Sequence, residues 1–149
     1  MPLILGVDPG RNGALAVLSD ETRDGAYRVQ THDMPDTASG LHSLLLSLPP
    51  VAFAAVEKPF YPRQIGATNV ARIAEAYGAL KSALLFCGIP QREVRPAEWK
   101  AALNLGPNKA ASRERASMLF PDDGDQWVRA KDDGRAEAAL IAWYGRKFK

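Results

Sequence analysis

The hydrophobic residues of this chain fall into short continuous runs that are separated by polar turns. Residues 3–7 and 14–18 form two such runs, and the segment 9–13 between them contains a proline and two glycines. Apolar runs of this length are typical of buried strands, and the turn residues favour a tight connection. The pattern predicts an antiparallel hairpin, which a third strand over 27–34 extends to a meander.

Two later segments predict strands that lie parallel to the first one. Residues 51–57 are apolar up to a terminal glutamate, and residues 91–95 form a shorter candidate strand. Before them, residues 35–37 can cap a helix that continues to about Ser47 and is stopped by two prolines. Because a helical crossover returns the chain in the same direction, the first and fourth strands are expected to be parallel.

Helical spacing dominates the region after the fourth strand. Apolar residues recur at this spacing over 70–84. Thr68 or Asn69 is the expected cap of this long helix, and Gly88 is its expected C-terminal stop.

Three shorter helices complete the predicted chain path. One begins at Pro96, the next covers 109–119, and the last runs from about 132 to 145. Strands and helices that alternate in this way form a layered α/β structure. We therefore expect a single domain over 1–149, with a mixed five-stranded sheet of one three-strand antiparallel meander and two parallel strands, and helices on both faces.

Composition narrows the class of protein. Hydrophobic residues make up 46% and charged residues 24% of the 149 residues, which fits a globular domain and argues against a disordered or fibrous chain. The only cysteine, Cys87, cannot form an internal disulfide and is expected to be a small buried side chain. Neither a membrane-spanning run nor a signal peptide is recognisable, so we expect a cytoplasmic protein that does not enter a membrane.

The overall charge of +2 hides an uneven distribution. Between Lys58 and Arg115 the chain carries ten lysine or arginine residues and four glutamates. Such a basic section is compatible with a phosphate-binding surface, and equally with the solvated outer faces of helices. The charge by itself leaves both interpretations open.

Four acidic side chains stand where the predicted fold would gather them. Asp8 and Glu57 each end a strand, and the carboxyl ends of parallel strands are where α/β sheets bind ligands. Asp133 and Glu137 share a face of the last helix, and the apolar stretch 138–144 indicates that this helix is buried. Four clustered carboxylates repel one another unless a cation compensates them, and such oxygen ligands suit Mg²⁺ or Mn²⁺.

Each acid also has a purely structural interpretation. Asp8 precedes a Pro-Gly turn and could accept backbone hydrogen bonds there, and Asp133 could stabilise the start of the last helix. Glu57 and Glu137 are harder to explain in this way, because a carboxylate that is buried without a partner is costly. The set as a whole favours a site.

Three ordered motifs resemble the RuvC-like crossover junction endonucleases, in particular their compact phage forms. The motifs are Gly6-Val7-Asp8-Pro9-Gly10, Val56-Glu57-Lys58-Pro59-Phe60 and Asp133-Gly134-Arg135-Ala136-Glu137-Ala138-Ala139-Leu140-Ile141-Ala142. The first motif alone also occurs in actin-like ATPases, whereas the ordered set spans essentially the whole chain. The resemblance implies an RNase H-like fold, a homodimer, and symmetric cutting of four-way DNA junctions in recombination and repair, inside a bacterial cell and with host or phage origin left open.

The resemblance also assigns roles to single residues. Asp8 and Glu57 would match metal ligands of the family, and Lys109 would match its basic residue near the active site. Phe60 would match the aromatic residue that inserts at the junction centre, and Tyr61 could take its place. Further candidate phosphate contacts are Lys58, Arg63, Arg113 and Arg115.

The acids of the last helix depart from the commonest family pattern. Glu137 would be the final metal ligand, although an aspartate is more common at that position. The other ligand commonly stands three residues earlier, where this chain has Gly134. Whether Asp133 or Asp132 serves instead is therefore open.

The implied chemistry is hydrolysis of a phosphodiester with two metal ions per site and no small-molecule cofactor. Two other functions remain compatible with the sequence. One is a nuclease of the same fold that acts on flaps, other branched DNA or RNA/DNA hybrids, and the other is a DNA-binding module without catalysis. An actin-like kinase is disfavoured, because the chain is short and has no second glycine-rich phosphate loop.

Overall fold

An antiparallel meander is followed by helices that alternate with strands. The computed structural model describes residues 2–19 and 24–149. The strands are β1 (Leu3–Asp8), β2 (Ala14–Ser19), β3 (Arg28–Asp33), β4 (Val51–Glu57) and β5 (Gln91–Val94). The helices are α1 (Ala38–Ser47), α2 (Ala67–Phe86), α3 (Pro96–Ala102), α4 (Lys109–Leu119) and α5 (Asp133–Gly145), and short 3-10 turns lie at Gly124–Trp127, Ala130–Asp132 and Arg146–Phe148.

The described strands form one five-stranded sheet in the order β3-β2-β1-β4-β5. β1 pairs antiparallel with β2 and parallel with β4, while β4 pairs parallel with β5. The predicted meander and the two parallel strands are therefore confirmed. Val7 lies opposite Val56, so the next residues, Asp8 and Glu57, end neighbouring strands at the same edge of the sheet.

The turn between β1 and β2 places Asp8 at the tip of the hairpin. Asp8 pairs with Ala14 across the two strands, and the N–H of Gly13 donates to the carbonyl oxygen of Gly10 at 3.2 Å. Gly10 has a φ of 117°, a backbone conformation that side chains other than that of glycine rarely allow. The short turn thus keeps the carboxylate beside the last pair of the ladder.

Helices cover both faces of the sheet, as predicted. On one face, α3, α4 and α5 enclose a core that includes Ile4, Ala16, Leu18, Ala55, Val94, Trp99, Phe120, Trp127 and Leu140. On the other face, α1 and α2 pack on a core that includes Leu5, Val7, Leu15, Val17, Leu41, Leu45, Val56, Tyr77, Leu80 and Leu84. Since side chains alternate between the faces of a strand, Asp8 and Glu57 point to the same layer as α5.

α5 lies directly on β1 because Gly6 has no side chain. A Cβ atom at Gly6 would stand 2.1 Å from the carbonyl oxygen of Ala138 and 2.4 Å from the backbone nitrogen of Ala142. A Cβ atom at Gly134 would likewise stand 2.3 Å from the carbonyl oxygen of Asn12. The helix is buried almost all round, as its apolar sequence predicts, and its first turn rests on the β1–β2 turn.

The predicted cap of α2 was wrong. The helix begins at Ala67, one residue before Thr68, and its N-cap is Gly66, which makes no side-chain hydrogen bond. The backbone carbonyl of Gly66 accepts instead from the N–H groups of Asn69 and Val70, at 3.0 and 3.1 Å. Thr68 and Asn69 are therefore exposed residues of the first turn, whereas Gly88 ends the helix region as expected, with a φ of 69°.

Other local predictions need smaller corrections. Cys87 is only partly buried, because it lies at the C-cap of α2, at the edge of the core. The acidic loop after α4 is attached to β3, since Asp123 is buried and accepts a hydrogen bond from the N–H of Val29 at 2.8 Å. Within the described residues, no helix combines the length and the apolar character that crossing a membrane requires.

Candidate active site

Three carboxylates converge at the carboxyl ends of β1 and β4. Asp8 is 9% exposed and Glu57 is partly buried, and Glu137 on α5 is 4% exposed. The close contact between α5 and β1 brings Glu137 over the sheet edge where the other two acids end their strands. Of the four acids that the sequence predicts to cluster, the structure thus brings three within electrostatic reach of one another.

The three acids influence one another electrostatically. Burial raises the pKa of Asp8 well above its usual value, and the negative charges of Glu57 and Glu137 raise it further, against the opposing effect of two lysines. The pKa of Glu57 is also raised, chiefly by burial, and the charge of Glu137 adds to the rise. Clustered carboxylates of this kind attract cations.

The carboxylate of Glu137 lacks the hydrogen bonds that a buried charge normally has. Its Oε1 atom is fully buried and has no hydrogen-bond partner. The nearest cations are the ammonium groups of Lys100, 3.9 Å from Oε1, and Lys109, 3.6 Å from Oε2. Both distances exceed those of a hydrogen bond, so the carboxylate has two ion-pair contacts while Oε1 has no hydrogen bond.

Lys109 was expected near the site, and α4 places it there. Lys109 and Arg113 stand one turn apart on α4 and face two acids that stand one turn apart on α5. Arg113 forms an ion pair with Asp133, with 2.8 Å between Nε and Oδ1, while Lys109 approaches Glu137. Asp133 thus lies at the rim of the cluster, on the same helix face as Glu137.

The alternative ligand Asp132 is engaged elsewhere. Its carboxylate accepts hydrogen bonds from Nε and an Nη atom of Arg129, at 2.8 and 3.0 Å, and from the Arg129 backbone N–H at 3.3 Å. These bonds lower the pKa of Asp132. The residue therefore stabilises the turn before α5, whereas Asp133 shares a helix face with Glu137 and is paired with Arg113.

Two site residues, Trp99 and Lys100, were missed at the sequence level. The indole Nε1 of Trp99 donates a hydrogen bond to Oε2 of Glu57 at 2.5 Å, and the ammonium of Lys100 lies near Glu137. Both residues belong to α3, which begins directly after β5, the neighbour of β4. In the sequence, only the predicted helix start at Pro96 pointed to these two residues. A helix that starts there has Trp99 and Lys100 in its first turns, beside the end of β4.

The candidate DNA contacts separate into two groups. Phe60 is 74% exposed and Tyr61 is 38% exposed, in the loop that follows β4, so neither folds back onto the core. Lys58 and Arg63 are exposed in the same loop. Arg115 lies on α4 only two residues beyond Arg113, and such positions do not share a helix face, so the structure does not bring Arg115 to the site.

The donor atoms of these residues suit a divalent cation, but the side chains stand farther apart than the ligands of one ion. Among residues 2–19 and 24–149, no three acid, histidine or cysteine side chains stand as close together as the ligands of one bound ion. The charges of Glu57 and Glu137 raise the pKa of Asp8, and the two lysines oppose this rise. The hard oxygen donors and the unbonded oxygen of Glu137 are nevertheless what Mg²⁺ or Mn²⁺ prefers.

Comparisons with known protein structures identify the fold. No protein-family model and no characterised protein matches the chain by sequence. The structure is similar to that of Thermus thermophilus RuvC, with a TM-score of 0.67 and 19% identity over 98% of this chain and 96% of that one. The same protein in complex with Holliday junction substrate gives 0.67 at 18% identity over 99% of this chain and 96% of that one.

A viral enzyme gives a similar result. The fowlpox virus Holliday junction resolvase matches with a TM-score of 0.62 and 15% identity over 99% of both chains. At identities this low, structural similarity shows the fold alone. The coverage shows that the similarity extends over every layer of the fold. The chain therefore has the RNase H-like fold of RuvC, and the resemblance inferred from its three motifs is confirmed at the level of the fold.

Proposed function

We propose that this protein is a metal-dependent, structure-selective endonuclease that resolves four-way DNA junctions. The observation that carries the proposal is the carboxylate of Glu137, which is buried without a hydrogen bond beside Asp8 and Glu57. Two lysines lie near this carboxylate, but a buried polar atom without a hydrogen bond is costly, and local conflicts of this kind are concentrated at functional sites. On a fold shared with a RuvC that binds Holliday junction substrate, hydrolysis of a phosphodiester is the chemistry that uses such a cluster.

The acids would act as metal ligands. Asp8, Glu57 and Glu137 would hold Mg²⁺ or Mn²⁺, with Asp133 at the rim and two ions per site. When bound, these ions supply Lewis-acid stabilisation of the phosphodiester and a reactive water at neutral pH.

Lys100 and Lys109 would have a separate role. In this structure their ammonium groups compensate part of the charge of Glu137, at 3.9 and 3.6 Å. When metal ions compensate the carboxylates, the ammonium groups of the two lysines can interact with the phosphate of the DNA instead. Positive groups that are already in place stabilise the negative charge that develops there during hydrolysis.

The exposed loop after β4 would contact the branch point. Phe60 and Tyr61 can stack on bases that are unpaired at a junction, and stacking of this kind contributes about 1–3 kcal/mol per base. Lys58 and Arg63 in the same loop can contact phosphates. Resolution of a four-way junction requires two symmetric cuts, so we propose a homodimer in which each protomer makes one cut.

The experiment that tests this function compares DNA substrates. Synthetic four-way junctions, flaps, linear duplexes and RNA/DNA hybrids are incubated with the wild type or Glu57→Gln, in Mg²⁺ or in EDTA. We expect paired symmetric nicks in the four-way junction alone, in Mg²⁺ alone, and only with the wild type. Glu57→Gln keeps the size of the side chain, so loss of cutting with retained junction binding would identify the carboxylate as essential.

Other outcomes would support the alternatives. Metal-dependent cutting of flaps or hybrids in place of junctions would keep the active site and refute the junction assignment. Junction binding without cutting of any substrate would indicate a DNA-binding module without catalysis.

A further inference from the structure

The indole of Trp99 is directed at one oxygen of Glu57. Trp99 is fully buried, and its Nε1 atom lies 2.5 Å from Oε2 of Glu57. An indole N–H can only donate, and hydrogen bonds to a carboxylate are stronger than those between neutral groups. The bond therefore restricts the rotation of the Glu57 side chain at the end of β4.

The position of Trp99 is itself fixed relative to β4. α3 follows β5 directly, and β5 is joined to β4 by a ladder that extends to the bond between the N–H of Lys58 and the carbonyl oxygen of Val94, at 2.8 Å. The carboxylate of Glu98 accepts from the N–H of Arg95 at 3.2 Å and stabilises the first turn of α3. The donor thus reaches Glu57 from a helix that β5 joins directly to β4, while its ring packs in the core beneath α5.

We propose that Trp99 is a positioning residue of the active site, whose indole N–H holds the carboxylate of Glu57 in the orientation that binds the metal ion. The inference rests on the proposed function, because it assigns Glu57 as a metal ligand. Groups that hydrogen-bond to metal ligands orient them, and their removal commonly weakens metal binding or activity about tenfold to a hundredfold.

The chain offers a matched control for the test. Trp127 is 1% exposed, belongs to the same core, and donates through its Nε1 to Oγ of Ser117 at 3.0 Å, about two turns of α4 away from Lys109. Trp99→Phe and Trp127→Phe each remove one buried indole donor and keep an aromatic ring. Only Trp99→Phe removes a donor to Glu57, and its phenyl ring keeps an aromatic face beside Lys100, whose ammonium lies 5.3 Å from the centre of the Trp99 ring.

Calorimetric titration with Mn²⁺ measures the effect. We expect Trp99→Phe to weaken Mn²⁺ binding about tenfold to a hundredfold, while Trp127→Phe binds as the wild type does. In a Glu57→Gln background, Trp99→Phe should cause no further loss, because residues that act through one contact are not additive. Unchanged affinity in Trp99→Phe, equal losses in both tryptophan variants, or fully additive losses would overturn the proposal.

A measurement on the unsubstituted chain keeps the proposal testable if Trp99→Phe does not fold. The indole N–H signals are followed by NMR during titration with Mg²⁺, after assignment with Trp127→Phe and Trp143→Phe. The Trp99 signal should shift on addition of Mg²⁺ in the wild type and stay in place in Glu57→Gln. A Trp99 signal that does not respond in a protein that binds Mg²⁺ would refute the positioning role.

Failure of this inference is distinguishable from failure of the proposed function. A wild type that binds Mg²⁺ and cuts junctions, together with a Trp99→Phe variant of equal affinity and rate, would overturn the role of Trp99 alone. A wild type that neither binds the ion nor cuts any substrate would overturn both.

Discussion

Asp8 is the residue whose charge is most opposed by its surroundings. It is buried beside Glu57 and Glu137, and the resulting rise of its pKa means that the folded protein holds the proton of Asp8 more strongly than the unfolded chain does. Ionisation of Asp8 therefore destabilises the metal-free fold. The contribution of a protonated Asp8 to stability is present at acid pH and is lost as the pH rises above about 4, the usual value of an unfolded aspartate.

Replacement of Asp8 by asparagine should stabilise the metal-free protein while it removes activity. The neutral amide has nearly the same shape, so we expect the free energy of unfolding at pH 7 to rise by about 0.5–2 kcal/mol, the usual range for stabilising substitutions. Urea unfolding in EDTA, measured from pH 3.5 to 8, checks this, and the two curves should converge at the acid end. An Asp8→Asn protein less stable than the wild type at pH 7 would contradict the electrostatic account.

Lys100 and Lys109 should matter for the rate of cleavage more than for folding. Removal of a positive group that stabilises charge in the transition state typically slows a reaction about a hundredfold or more. We expect Lys100→Gln and Lys109→Gln each to slow single-turnover junction cleavage to this extent. Lys81→Gln is the matched control, because Lys81 lies on α2 and pairs with Glu93, 3.7 Å away, rather than with the cluster. Equal rates in all three variants would exclude the role proposed for the two site lysines.

Single residues of the site were predictable to different degrees. Asp8 and Glu57 stood out because each ends an apolar run, and Glu137 because an apolar stretch follows it, and burial of a carboxylate without a partner is costly. Trp99 did not stand out, because a tryptophan in a short helix is more often a core residue, and only the fold shows that its N–H meets Glu57. The choice between Asp132 and Asp133 also required the structure, since both stand at the start of a helix.

At the scale of elements, the contact between α5 and β1 determines where the last acid lies. Gly6→Ala would place a Cβ atom 2.1 Å from the carbonyl oxygen of Ala138, so the helix must move away from the strand. Overpacking of this kind costs about 1–3 kcal/mol, and the displaced helix carries Glu137 with it. We expect Gly6→Ala to lower both the stability and the rate of junction cleavage.

Gly78→Ala is the control for this prediction. Gly78 lies within α2, and an added Cβ atom there would meet nothing within 4 Å. The same substitution should therefore stabilise the protein by about 0.5–1 kcal/mol, because alanine is the better helix former. Urea unfolding and cleavage of a four-way junction measure both variants. A Gly6→Ala protein with wild-type stability would show that α5 does not rest on β1 as closely as described.

The sequence predicted the identity of the elements well and their ends less well. Strands that are continuous apolar runs and the buried helix α5 were recognisable, because periodicity reports burial. The start of α2 was not, because Gly66 caps the helix through its backbone and offers no side-chain signal. The partial burial of Cys87 was likewise hidden, since its neighbours Leu85 and Phe86 are 70% and 83% exposed despite their apolar character.

For the molecule as a whole, the order of the motifs was more informative than the overall charge. The strand ends that carry Asp8 and Glu57, and the helix that carries Glu137, lie far apart in the sequence and meet because β1 and β4 are parallel neighbours under α5. The net charge of +2 gave no such information. The direction of the strands followed from chain connectivity, whereas the spacing of the acids depends on packing that only the structure defines.

We propose that this carboxylate cluster cuts both strands of a four-way junction in a metal-dependent reaction. A supercoiled plasmid with an extruded cruciform is incubated with the wild type or Asp8→Asn, each in Mg²⁺ and in EDTA. We expect a linear product, from paired cuts within one binding event, for the wild type in Mg²⁺ alone. A plasmid that stays supercoiled, that is only nicked, or that is linearised equally by Asp8→Asn or in EDTA would contradict it.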